Sequence, residues 1–472
     1  MRDSRWWALA VISMTQLVVV LDGTIVSIAL PRAQAELGLS DGARQWVVTA
    51  YALVFGALLL IGGRVADFWG RKRAFLTGMI GFGLASTYGG LAQTGFDLIL
   101  ARGLQGLFAA LLAPAALALL TVTFPSGRDR NLAFAVFGTL AGSGAAVGLV
   151  LGGALTEFVS WRWCLLVNIV FCALGVLGGL LFLRESRAEG DNRYDIRGTV
   201  TVSAGLGLLV YGFSLAEHGW AEWDTVLFIA AGLVLLALFA RLQSRSSHPL
   251  LPLRVLAHRV RGAAFVIQAL IGTLMIGGTL YLTFHLQLVM GMSPLVAGLA
   301  NVVMTVVILV LTPVFAKYLP VIGPRRLMIA GPAVAAVALL LLTRITPDGG
   351  FATEILPSLI LLGVGLSMLF SVAQNLALAG VAAHDAGVAS AAVNSAMQIG
   401  GSIGLSVLTA VYTGASAGGS TPAALTDGYA AVFLTTAIAM LAAAVVAALL
   451  IRGRTGDLLP GFDEERVLSA SL

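Results

Sequence analysis

Gly63-Arg64-Val65-Ala66-Asp67-Phe68-Trp69-Gly70-Arg71-Lys72-Arg73 places five charges between two long apolar runs. In a chain of 472 residues that is 58% hydrophobic and only 11% charged, such a cluster marks a cytoplasmic joint between two membrane helices. Its glycines allow a tight turn where the charges sit. Asp67 is placed to accept hydrogen bonds from the nearby arginines or to cap a facing helix, a latch for one closed state; a solvated charge run that only fixes topology is the alternative.

Working outward from this joint, apolar runs long enough to cross roughly 30 Å of hydrocarbon at about 1.5 Å per residue recur along the whole chain. Fourteen spans are expected: 6–30, 44–63, 74–93, 97–122, 131–154, 163–183, 198–217, 224–243, 261–289, 295–316, 325–344, 354–378, 387–412 and 428–451. With the N-terminus cytoplasmic, 23 of the 28 Lys and Arg fall on the inner side and four on the outer side, with Arg102 inside a span. That bias puts both termini in the cytoplasm and assigns the formal charge of +5 to topology and anionic lipid rather than to nucleic acid. The first span, longer than a leader's apolar region and interrupted by Asp22, reads as an uncleaved helix. Cys164 and Cys172 lie in one apolar span and read as small packing residues, neither a disulfide framework nor a metal site.

The order is six spans, a two-helix insert between charged segments, and six more. The expected partition is 1–190 for an N-terminal six-helix bundle, 191–258 for the insert, 259–452 for a C-terminal six-helix bundle and 453–472 for a cytoplasmic tail. A weak echo of the opening stretch stands at 316–326, where Gly323-Pro324-Arg325-Arg326 aligns with Gly70-Arg71-Lys72-Arg73 and Pro320 replaces Asp67.

Several of these patterns resemble the fourteen-helix drug:proton antiporter branch of the major facilitator superfamily, in its order and over nearly the full chain. They are Leu21-Asp22-Gly23-Thr24-Ile25 through Leu30-Pro31 in the first span, the 63–73 stretch, Arg102-Gly103-Leu104-Gln105-Gly106 in the fourth, and the glycines at 138, 142, 144, 148, 152 and 153 in the fifth. Gln287 followed by Gly291-Met292-Ser293-Pro294, and Gly387 through Asn394, Gln398, Gly400 and Gly401, are similar to its second half. Leu149 after Gly148, and Val170 two after Asn168, stand where the branch usually has proline. The resemblance implies an all-α integral membrane protein with the major facilitator fold, acting as a proton-coupled exporter of hydrophobic or amphipathic drug-like or antibiotic compounds by alternating access. An importer or facilitator of a small organic metabolite is the alternative, and an intramembrane enzyme or receptor a remote third.

Asp22 and Arg102 are the unambiguous charges inside the spans, and a charge in a bilayer is a functional hypothesis by default. A carboxyl caught between desolvation, which favours its neutral form, and a guanidinium, which favours the carboxylate, is suited to load and release a proton. A static ion pair pinning the first and fourth spans is the alternative. Gly144, Gly148 and Gly152 follow i, i+4, i+8 spacing and form a smooth ridge for close helix contact, static or sliding. Gly63, Asp67, Gly70, Arg71 and Arg73 form the expected latch. Gln16, Trp46, Tyr51, Gln105, Tyr281, His285, Gln287, Asn301, Gln374, Asn375, Asn394 and Gln398 are candidates for a substrate cavity with few charges, which favours hydrophobic or amphipathic ligands. His285 is either a second proton carrier or a histidine near the outer surface. Walker-type phosphate loops and His-Glu-x-x-His patterns are absent from the sequence, so the expected energy source is a proton gradient, with no cofactor and no enzymatic activity. The expected partners are a small organic molecule, protons and membrane lipid, without nucleic acid; the chain is expected to work as a monomer in a bacterial inner membrane.

Overall fold

The computed structural model describes residues 2–125, 127–187, 195–246, 249–379, 381, 386–453 and 458. The expected boundary at 190/191 and nearly all of the 453–472 tail lie outside them. All described elements are helical: α1 (Arg2–Leu37), α2 (Asp41–Trp69), α3 (Arg71–Gly90), α4 (Gly95–Thr123), α5 (Gly127–Phe158), α6 (Trp163–Phe182), α7 (Ile196–Leu215) and α8 (Trp223–Arg245) come first. A five-residue turn, Leu253–Ala257, precedes α9 (Arg259–Val289), α10 (Pro294–Ile322), α11 (Pro324–Leu342), α12 (Phe351–Ala377), α13 (Ala386–Ser416) and α14 (Pro422–Leu450). Thirteen of these fourteen are long and apolar enough to cross a membrane; the other, α3, has 20 residues, opens on Arg71-Lys72-Arg73 and is rich in glycine.

Every expected span is a helix, and most helices run past the apolar run that announced them. α2 continues through Gly63, Arg64 and Asp67 to Trp69, so the stretch read as a loop is mostly the last turns of a helix. Gly70 alone interrupts it, at φ 130°, a conformation disfavoured for any residue with a Cβ. The reason is that charges end a hydrophobic run without ending helical hydrogen bonding; water solvates the side chains of a helix as readily as those of a loop.

Contacts divide the chain into two compact units, residues 1–250 with 286–302, and residues 251–285 with 303–472. In the first, α2 packs along α4, α1 along α5 and α6, α3 along α4 and α6, and the α7–α8 pair leans on α2. In the second, α9 packs along α13, and α11 along α12 and α14. The pairings α1·α5, α3·α4 and α3·α6 thus recur as α9·α13, α11·α12 and α11·α14, an internal repeat far clearer in packing than in sequence. Small residues make the pairings close. An added Cβ at Gly106 would lie 2.5 Å from the Tyr51 carbonyl oxygen, and one at Gly365 would lie 2.6 Å from that of Gly331.

Candidate functional site

The first unit buries a charged network among five of its helices. α1 contributes Asp22, α3 Ser86, α4 Arg102 and Gln105, and α6 Asn168, while α2 supplies the Val47 carbonyl and the Tyr51 ring; these side chains are almost wholly inaccessible. Arg102 Nη1 donates to Asp22 Oδ2 at 2.5 Å and to Gln105 Oε1 at 2.7 Å, and Arg102 Nε donates to Val47 O at 3.1 Å. Its guanidinium carbon lies 4.4 Å from the centre of the Tyr51 ring, within cation–π range. Asp22 Oδ1 accepts from Gln105 Nε2 at 2.9 Å and from Asn168 Nδ2 at 2.7 Å. Ser86 Oγ in turn accepts from both amides, at 2.7 and 3.4 Å. An unpaired charge here would cost several kcal/mol, and the dense hydrogen bonding offsets the desolvation of both ions.

Two details bear on what this network can do. Asn168 Oδ1 is buried with no partner among the described residues. Amide orientation follows hydrogen bonding, so a rotated Asn168 would offer that oxygen to a protonated Asp22 carboxyl. On the Leu30 side of the pair, a cavity of about 10 Å³ is lined by Val26, Leu30, Val47, Leu98 and other apolar side chains. Such a space gives water no hydrogen-bond partners, so it separates Asp22 from that end of α1 with a dry plug.

The glycine ridge faces α1 from the other side. A Cβ at Gly144 would touch Leu17 and Val20 at 3.4 Å, whereas one at Gly148 would lie 3.0 Å from Leu21 O and one at Gly152 3.0 Å from Ile25 O. Helix α1 therefore carries its charge on one face and rests on a smooth track on another. A second ridge stands on α13, where the small residues of the 387–412 span suit close helix contact: Gly400 meets the Ala269 backbone, Gly401 meets Ile276 and Gly404 meets Thr273, all on α9.

At the joint, Arg71 donates from Nε and Nη2 to Asp67 Oδ1 at 3.0 and 2.8 Å. Glu185, just past α6, accepts from the backbone amides of Lys72 at 3.0 Å and Arg73 at 3.2 Å, capping the start of α3. Lys72 Nζ reaches the α6 carbonyls of Leu180 and Leu183 at 3.1 and 2.8 Å. Gly70 is doubly required, because a Cβ there would also lie 2.8 Å from the Glu185 carboxyl carbon.

The expected cavity residues scatter. Tyr51 and Gln105 belong to the charged network, and Trp46 packs on Tyr211 of α7 with centroids 6.3 Å apart. Gln287 donates to Ile28 O at 3.0 Å, while the amides of Asn301, Asn375 and Asn394 bond carbonyls one turn back in their own helices. Tyr281 and His285 join a buried aromatic cluster in the second unit. Gln16 and Gln398 are half-buried and Asn394 is exposed; the Gln374 side chain is outside the described residues. Ser86, Asn168 and Glu185 were missed. Asn168 carried a readable signal, as the one amide in its span; Ser86 and Glu185 carried none.

The sequence profile described as the Major Facilitator Superfamily matches residues 12–405. Among curated proteins, the chain is 46% identical to the puromycin resistance protein of Streptomyces alboniger over 96% of this chain and 92% of that one. It is 38% identical to the cephamycin export protein of Amycolatopsis lactamdurans over 93% and 91% of the two chains, and 31% identical to a multidrug efflux pump of Mycolicibacterium smegmatis over 86% and 81%. Among solved structures, a peptide transporter of the POT family superposes with a TM-score of 0.72 at 16% identity, covering 96% of this chain and 98% of that one, a likeness of fold alone.

Proposed function

Because the chain belongs to the Major Facilitator Superfamily, we propose that it exports hydrophobic or amphipathic antibiotic-like compounds by alternating access, driven by protons moving inward through Asp22. It is a transporter and not an enzyme. The relatives named for puromycin resistance, cephamycin export and multidrug efflux support the substrate class. The buried Asp22–Arg102 pair carries the coupling.

Protonation of Asp22 removes the charge that ties α1 to α4. Arg102 keeps Val47 O, Gln105 Oε1 and the Tyr51 ring, so its positive charge stays solvated by dipoles. Asn168 rotates to accept the new O–H through its idle oxygen. Helix α1 is then free to shift along the Gly144, Gly148 and Gly152 track, whose smoothness keeps the barrier low. In this reading both termini are cytoplasmic and the Asp67–Arg71 joint holds the first half in one state. The chain works as a monomer in the cell membrane of a bacterium.

The test is transport in inverted membrane vesicles under an imposed proton gradient, with puromycin as the first compound and cephamycin as the second. Wild type accumulates compound only with the gradient; Asp22→Asn abolishes that accumulation and retains downhill exchange. Unchanged accumulation in Asp22→Asn sinks the coupling role, and net uptake by intact cells sinks the export direction.

A further inference from the structure

The second unit contains a titratable group that the proposed cycle does not use. His285 lies on α9, four residues before Val289, roughly 6 Å from that helix end at about 1.5 Å per residue. Its side chain is 1% exposed. Three tyrosines, each at most 3% exposed, cluster beside it, Tyr281 one turn earlier, Tyr412 on α13 and Tyr429 on α14, and of these Tyr429 packs on the imidazole ring itself. The His285 and Tyr429 rings are perpendicular with centroids 5.8 Å apart, Tyr429 stacks on Tyr412 at 5.3 Å, and Tyr281 touches both at 6.1 and 5.3 Å. Tyr281 Oη donates to Thr409 Oγ1 at 2.8 Å, and Thr409 is itself anchored on Leu405 O.

We propose that His285 and this tyrosine box form a second proton-binding site, in the second half and separate from Asp22. Three observations lead there. His285 Nδ1 is buried without a partner among the described residues, a desolvation cost that a phenyl ring in the same space would avoid. Tyr429, perpendicular to the imidazole with centroids 5.8 Å apart, lies within the range of about 6 Å over which an aromatic ring interacts with a cation, and the stacked tyrosines behind it hold it there. The backbone is unusual at this residue as well. Wide π-helical turns run over Thr273–Gly278 and His285–Val289, on either side of a short α segment. Such turns are rare and concentrate at functional sites. Tightening the first of them by one residue would rotate His285 by about 100° around the helix axis, which carries the ring out of the box or back into it.

The groups bearing on the ring are Tyr429 on α14, which packs against it, Tyr281 on its own helix and Tyr412 on α13, which contact Tyr429, and Glu354 on α12, whose negative charge opposes without matching the burial that disfavours an imidazolium. Asp427, two residues before Tyr429, is exposed. Glu354 is already held by Thr346, through the backbone amide at 2.9 Å and the hydroxyl at 3.0 Å. Because α9 ends on the outer face in the orientation proposed above, this site exchanges with the external medium, and it rests on the reading of the chain as a proton-driven exporter. The cycle then moves one more proton per substrate than Asp22 alone carries.

The experiment is pH titration of the full-length protein, labelled with ¹⁵N-histidine and held in lipid nanodiscs. The chain has five histidines, and His285→Gln assigns the resonance; if that variant does not fold, Tyr429→Phe assigns it by altering the nearest ring. The expected result is a change of His285 from neutral to doubly protonated within about two pH units of the ordinary imidazole value of about 6.5, in wild type and equally in Asp22→Asn. Proteoliposomes carrying His285→Gln move about one proton fewer per puromycin while still coupling. A His285 resonance that stays neutral down to about pH 4.5, or an unchanged proton-to-puromycin ratio in His285→Gln, overturns the proposal. Absence of any proton movement in wild type removes the coupling reading instead, and the resonance still decides whether His285 binds a proton.

Discussion

The two halves repeat a backbone and differ in the chemistry placed on it. Each breaks the chain between its second and third helices with one glycine at positive φ, Gly70 at 130° and Gly323 at 85°. The first joint is ringed by acids, with Asp67 holding Arg71 and Glu185 capping α3. The second puts Pro320 inside α10 and Pro324 at the start of α11, and Arg325 reaches the Ala448 carbonyl at 3.2 Å. Their interiors differ in the same way. The first encloses an ion pair satisfied on nearly every side, whereas the second encloses tyrosines around an incompletely bonded imidazole. A repeat that keeps packing constant thus places an ion pair in one interior and an imidazole beside stacked tyrosines in the other.

Deleting one partner of the charged network is the most forceful way to break this contrast. Arg102→Ala leaves Asp22 buried without its counter-ion and should cost about 3–5 kcal/mol. The matching polar deletion in the second half, Tyr281→Phe, removes one neutral hydrogen bond to Thr409 and should cost about 1 kcal/mol. Thermal unfolding in detergent ranks the two. Equal losses would mean that the Asp22–Arg102 pair is no more demanding than an ordinary interhelical bond.

The ridges are where the halves should agree. Gly152→Val drives a branched side chain into the α1 backbone and Gly400→Val does the same at α9, so each should destabilise by about 1–3 kcal/mol. Gly138→Val is the control, because nothing lies within 4 Å of a Cβ there. A tolerant Gly400 would show that close contact at α9·α13 is looser than its counterpart at α1·α5, and would sharpen the asymmetry instead of softening it.

The fold was legible because hydrophobic runs and charge bias are one-dimensional signals. Fourteen spans needed only length and composition, and every one of them is a helix. Helix ends were less legible, as Gly63 to Trp69 shows, since polarity reports where lipid stops and not where backbone hydrogen bonds stop. In the site, Asp22 and Arg102 stood out because each is conspicuous in an apolar run. Ser86 did not, because a serine in a membrane helix is common and its role depends on how α3 meets α4 and α6. Tyr51, Gln105 and Trp46 were read as facing substrate for the converse reason: sequence gives polarity, while the side of the helix that a neighbour covers is a tertiary fact. On α13 the richness in Ala, Gly and Ser announced close helix contact, but which of them meet α9 is decided only when the partner helix is laid on them.

The smallest effect tests how far the charged character of the first half extends toward its rim. Glu217, beyond α7, is half-buried against Gly42 at the start of α2, close to Asp41 and Arg44. Burial raises its pKa above the ordinary 4.5, with Asp41 adding to the rise and His218 and Arg44 opposing it. A carboxyl that holds its proton more tightly when folded than when unfolded contributes stability that is fully present below the unfolded value and lost as pH rises through the folded one. Wild type should therefore lose a little stability as pH rises from the ordinary carboxylate range, then level off. Glu217→Gln should be flat over that interval, equal to wild type at the acidic end and slightly more stable at neutral pH. Unfolding temperatures of both proteins across that range check it. A wild type that gains stability with rising pH relative to Glu217→Gln would show that Arg44 and the α2 N-terminus outweigh burial, and that the insert is held to the first half by charge attraction as its interior is.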